Sequence, residues 1–185
     1  MEPEQTKEWA ALESEAVRLL RDGQPVLRRG VGRVIHLLAL PSFEPALGYE
    51  IYRDVSDSSG TRYQAVRTRW ERSLDLKKFI TAVKRSRQLE LLPTFRRREF
   101  PIDTDYMDVM LRRIAEMTLA PLPGDNPAGC DGTSYEVDFG DFFADSRFQW
   151  WEDGPANWRE LTLACRELLG KLDFLAGETE YGGQA

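Results

Sequence analysis

Apolar residues recur at helical spacing near the start of the chain. Trp9, Leu12, Ala16, Leu19 and Leu20 form one stripe, with Glu8, Glu13 and Glu15 on other faces. This period predicts an amphipathic helix over residues 4–21, ended by Asp22-Gly23 and Pro25. Residues 34–40 are apolar at every position except His36, which suits a strand in the middle of a sheet. Pro41 and Pro45 break it. Residues 48–55 and 62–70 then alternate, separated by the turn Asp57-Ser58-Ser59-Gly60, with Val66, Thr68 and Trp70 on one face. The three segments predict an antiparallel meander. Helical spacing returns over residues 74–87, where Leu76, Phe79, Ile80 and Val83 form a stripe and Ser73 is the expected N-cap. Residues 89–100 have no clear period; 95–100 fit a short edge strand without requiring one.

Asp103-Thr104-Asp105 opens the next predicted helix, to about residue 119. Met107, Met110, Leu111, Ile114 and Met117 face inward, and the acidic first turn suits the helix dipole. A loop rich in proline and glycine covers residues 121–129. Residues 134–139 and 147–151 alternate around a possible turn at 140–145, which predicts a hairpin. Trp158, Leu161, Cys165, Leu168 and Leu172 then mark a helix starting at Gly154 or Asn157. The tail beyond Gly177 is expected to be disordered. The expected fold is α+β, one domain over residues 1–177. An antiparallel sheet of about five strands packs against helices in the order α-βββ-α-α-ββ-α.

Composition narrows the class. With 185 residues, 42% apolar and 30% charged, the chain can bury a core without staples, and neither wholesale disorder nor a coiled coil fits. The acidic start Met1-Glu2-Pro3-Glu4 lacks the basic and apolar regions of a secretory signal. The longest apolar stretch falls well short of the roughly 20 residues of a membrane helix. A soluble, cytoplasmic protein is expected, with no membrane partner. Cys130 and Cys165 match no zinc or redox spacing. Cys165 lies on a helical stripe and reads as core; Cys130 reads as an exposed loop thiol.

Charge changes the picture more. The net charge of −6 conceals a basic block over residues 62–98, with twelve basic and three acidic residues. Residues 114–185 hold fourteen acidic and four basic ones. Either the blocks neutralise each other on folding, or one is a docking face that sets on-rate and specificity. His36 is the only histidine, so His-rich metal sites are excluded, and its apolar strand favours a core role over triad chemistry. Asp131, Glu136, Asp138, Asp141, Asp145, Glu152 and Asp153 fit no calcium loop. Alternation sends Glu136 and Asp138 to one face, expected to be solvated. Asp75-Leu76-Lys77 has the D-x-K form of metal-dependent nucleases, but it opens a helix where those enzymes need a strand. The basic block interleaves with Tyr63 and Trp70, a composition suited to single-stranded nucleic acid, although the pI near 5.0 argues against it. Adjacent Trp150 and Trp151 point to opposite faces of a strand, so one enters the core and the other is a candidate anchor.

Asp131-Gly132-Thr133-Ser134-Tyr135-Glu136, then Phe148-Gln149-Trp150-Trp151, then Pro155-Ala156-Asn157-Trp158 and the closing Leu-rich helix resemble a pattern found in uncharacterised bacterial proteins. There a D-G-T-x-Y-E strand leads to an aromatic strand, a P-x-x-W turn and a final helix. The resemblance covers residues 130–172 and implies a structural pattern with no established activity. In size and acidity the chain is also loosely similar to immunity proteins of bacterial toxin systems.

The preferred expectation is a non-catalytic interaction protein that meets a basic partner through Asp141, Asp145, Trp151, Glu152 and Asp153. No catalytic residue, metal ligand or cofactor is assigned. One alternative is a small-molecule or metal-dependent enzyme with its site between the hairpin and the basic segment. Another is nucleic-acid binding through a basic face of Arg67, Arg69, Arg96, Arg97 and Arg98.

Overall fold

The computed structural model describes residues 3–23, 31–55, 60–84, 91–122, 124, 129, 131–140 and 145–177. Cys130 and the tail beyond residue 177 lie outside them. The elements are α1 (Pro3–Asp22), β1 (Val31–Pro41), β2 (Leu47–Asp54), β3 (Arg62–Trp70), α2 (Arg72–Lys84), β4 (Phe95–Ile102), α3 (Thr104–Ala115), β5 (Thr133–Gly140), β6 (Asp145–Trp151), a 3-10 turn (Ala156–Trp158) and α4 (Arg159–Leu175). The fold is α+β. The six strands form one antiparallel sheet in the order β4-β3-β2-β1-β5-β6. The sixth strand is β4, the segment without a clear period: its charges at Arg96, Arg97, Arg98 and Glu99 hide the alternation, because an edge strand need not bury a full face.

β1 is central, paired with β2 and β5, and apolar on both faces as its sequence requires. Ile35 and Leu37 face α3 and α4, in a core completed by Tyr49, Ile51, Val137, Trp150, Met107, Met110, Leu161, Leu168 and Leu172. Two tyrosines tie these helices to the sheet. Tyr49 donates its hydroxyl to Asp173 of α4 at 2.5 Å, and Tyr63 donates to Asp108 of α3 at 2.7 Å. The other face is covered by α1. Leu20 packs on Leu38 and Ala46, and Trp9 stacks on Trp70 at 5.9 Å beside Phe79 of α2.

Helix starts differ from expectation in two places. Ser73 lies inside α2, and the carbonyl of Glu71 accepts the first turn's amides from Leu74 and Asp75. Asn157 caps no helix; its side chain binds the Gly124 amide and the Leu122 carbonyl, holding the loop before β5. Asp103 does cap α3, accepting from the Tyr106 amide at 2.8 Å. α3 ends at Ala115, short of the expected residue 119.

Asp75 joins three elements. Only 1% exposed, it accepts the Trp70 indole N–H at 2.9 Å, the Thr94 amide and hydroxyl at 2.7 Å each, and Lys78 at 3.1 Å. Burial alone raises its pKa, but these donors outweigh that and hold it below the usual value. The D-x-K segment is thus a structural clasp. Replacing Asp75 with Ala strands these buried donors and is expected to destabilise the fold by roughly 3 kcal/mol, read as a lowered urea midpoint with unchanged m-value. A midpoint equal to wild type contradicts the assignment.

Candidate functional site

Alternation along β6 sends Asp145, Arg147, Gln149 and Trp151 to the α1 side of the sheet, and Ser146, Phe148 and Trp150 to the α3–α4 side. Trp150 enters the core and stacks on Tyr135 at 5.8 Å. Phe148 is half-buried and meets Trp158 edge-on at 5.3 Å. Trp151 is half-buried, against a glycine-bearing loop. A Cβ built on Gly129 stands 3.1 Å from its Nε1, and one built on Gly132 stands 2.7 Å from its Cζ2. The expected anchor is therefore partly covered and does not protrude.

Glu152 occupies the turn after β6 with φ +48°, its carboxylate accepting the Thr133 amide. Asp153 is exposed and bridges to Arg166 at 2.6 Å, an exposed pair of the kind that contributes about 0–1 kcal/mol. Asp145 is exposed at the far end of β6, about 20 Å from Trp151 by strand rise. Asp141 lies outside the described residues. Trp151, Glu152 and Asp153 are thus brought together, and Asp145 is set apart from them along the same strand.

Glu136 and Asp138 share a face, as alternation requires, but that face is not solvated. α1 lies over it, and Arg21 binds the Glu136 carboxylate through two guanidinium nitrogens. A row of side chains crosses four strands here: Glu50, His36, Asp138 and Arg147. Glu50 is buried with Arg33 at 3.3 Å and the Tyr52 hydroxyl at 2.9 Å. Asp138 holds Arg147 at 2.5 Å. His36 Nδ1 is 3.7 Å from Asp138, too far for a hydrogen bond. Burial pushes the His36 pKa down, aided by Arg33; Glu50, Asp138 and the Leu20 carbonyl oppose this without overcoming it. The burial of this row was not legible in the chain, because nothing in β1 or β5 alone announces that α1 will cover them.

The basic face is partly assembled. Arg67 faces Arg98 and Arg69 faces Arg96 as cross-strand pairs on the α4 side, while Arg97 points to the opposite face beside Glu99. Counter-charges come with them. Asp173 lies 3.9 Å from Arg67, Glu71 lies 3.1 Å from Arg96, and Arg98 donates to the Ala176 carbonyl. The aromatics of this block are committed to packing: Tyr63, Trp70 and Phe79 are buried and Phe95 is partly buried against the Trp9–Trp70 cluster, which counts against base stacking. The two charge blocks meet at Arg67–Asp173; elsewhere α1 supplies partners to both, Glu13 for Arg72 and Arg21 for Glu136.

The hairpin and the basic strands do not adjoin in the sheet: β2 and β1 lie between β3 and β5. β4 and β6 are opposite edges of the sheet, about 24 Å apart. An open groove of about 470 Å³ runs along α3 to the start of α4, lined by Val109, Arg112, Arg113, Glu116, Met117 and Glu160, and it includes none of the residues expected to bind a partner. Among the described residues no three His, Cys, Asp or Glu are placed to hold a metal ion, and no helix is long and apolar enough to cross a membrane. Cys165 is buried, its thiol pushed up to about 12 by burial. No family model, curated protein or solved structure matches the chain.

The His36 environment has a measurable consequence. Its folded-state pKa lies below that of the unfolded chain, so below about pH 6.5 the unfolded state binds more protons and stability falls with pH. His36→Gln is expected to shrink the difference in urea midpoint between about pH 7.5 and about pH 5. An unchanged difference contradicts burial of a neutral imidazole.

Proposed function

We propose that the protein is a non-catalytic interaction module that meets a basic partner through the side of the sheet formed by β6. One observation carries this reading. Exposed acids, Asp145 at one end and Asp153 beyond the other, flank an uncharged aromatic stretch on the outermost strand. Charge at both ends steers a basic partner and sets its register, and Phe148 and Trp151, both half-buried and on opposite sides of the strand, supply apolar area. Trp151 serves as floor and not as a protruding anchor, and Glu152 acts by holding the turn. The basic strands β3 and β4 support the competing readings less well, because carboxylates and a helix end already attend their arginines.

The test is a selection of binders from a displayed peptide library on the immobilised protein, followed by affinity measurements. Selected sequences are expected to be rich in Lys and Arg. They are expected to lose roughly tenfold or more in affinity for Asp145→Lys/Asp153→Lys, and to weaken as salt rises. Both substituted positions are exposed, so the variant should keep its melting temperature. Binders without basic bias, or with affinity unaffected by the double charge reversal, contradict the proposal.

A further inference from the structure

We infer that the partner binds by adding an extended strand to the outer edge of β6; the inference rests on the interaction reading above and specifies its geometry. An open sheet has two edges, each offering a row of backbone N–H and C=O groups for pairing. The two edges of this sheet are built differently. Of the eight residues of β4, Arg96, Arg97, Arg98 and Glu99 are charged and Pro101 lacks an N–H. Dense charge and proline are the usual obstacles to strand addition. In β6 the charges stop at Arg147, which Asp138 holds. Residues 148–151 carry neither charge nor proline, and the β5–β6 register runs without a bulge. Among the described residues no strand lies beyond β6. Its seven residues span about 20 Å, enough for a strand of ordinary length.

The chemistry of the occupant follows from the pleat. A strand laid against β6 places alternate side chains on the α3–α4 side, beside Phe148 with Trp158 behind it. Its remaining side chains fall on the α1 side, beside Asp145, Gln149, Trp151 and Arg147, whose charge is held by Asp138. The fitting segment therefore alternates apolar and basic residues, with a basic residue near each end. A second copy of this chain fits poorly. Antiparallel self-pairing centred on Phe148 sets Asp145 of one chain opposite Trp151 of the other, next to Glu152 and Asp153, so like charges meet at both ends. A basic segment of another protein meets the same positions with opposite charge.

The experiment uses the full chain and three probes. One is an acetylated peptide of about seven residues, the length of β6, alternating Lys and Val. The others are the same peptide N-methylated at every valine or at every lysine, which removes amide donors from one edge or the other while keeping the charge. Strand addition predicts saturable binding of the parent peptide, loss of roughly tenfold or more for the peptide methylated on the edge that faces β6, and near-parent affinity for the other. Equal affinity for all three overturns strand addition; if the double charge reversal still abolishes that binding, the interaction reading stands on side chains alone. Absence of binding by the parent peptide at about millimolar concentration, where even weak strand pairing registers, also overturns it.

Discussion

The structure depends on the need to cover both faces of its central strand. β1 is apolar on each side, so a single helical layer cannot satisfy it. α3 and α4 seal one face with aliphatic and methionine side chains, tied down by Tyr49 and Tyr63. α1 must seal the other, where its apolar stripe reaches Trp70, Leu38 and Ala46. That stripe is narrower than the face. The remainder holds Glu50, His36 and Glu136, buried and satisfied by Arg33, Tyr52, the Leu20 carbonyl and Arg21. Gly23 ends α1 at φ +64°, a left-handed conformation that favours glycine, and a Cβ there would displace the carboxylate end of Glu50 and the guanidinium of Arg33. The polar row is thus a consequence of covering a sheet with one helix, and its members are positioned by packing.

Covering the faces leaves the edges. A barrel would abolish them, but six strands in the order β4-β3-β2-β1-β5-β6 remain open. The opposed charge blocks of the sequence are distributed accordingly. The basic block builds the guarded edge, where Arg67 and Arg69 of β3 stand opposite Arg98 and Arg96 of β4 and lean on Asp173, Glu71 and the end of α4. The acidic block builds β5, β6 and the turn that follows. Its carboxylates over the sheet centre are neutralised, while Asp145 and Asp153 at the periphery stay exposed. Charge at the rim and the uncharged residues 148–151 of an edge strand form the combination on which the functional proposal rests.

Much of this was legible in the chain. Helical stripes and strand alternation gave the α+β class, the central place of β1, the meander, the closing hairpin, the core role of Cys165 and the entry of one tryptophan of the Trp150–Trp151 pair into the core. What sequence pattern could not supply was contact between distant segments. β4 was obscured by its own charges. Glu136 and Asp138 fell on the face expected, yet their burial depends on α1, more than a hundred residues away in the chain. Arg97 was grouped with its neighbours, although alternation alone puts it on the other face. Asp141 lies outside the described residues, so the expected acidic face is described at Asp145, Trp151, Glu152 and Asp153.

Hydrogen exchange of backbone amides, with and without a saturating basic extended peptide, tests the central claim most directly. Strand addition protects alternate amides of β6 and leaves β4 and the α3–α4 groove unchanged, because only one row of β6 donors points away from β5. Protection at β4, along α3, or nowhere on β6 would contradict the account.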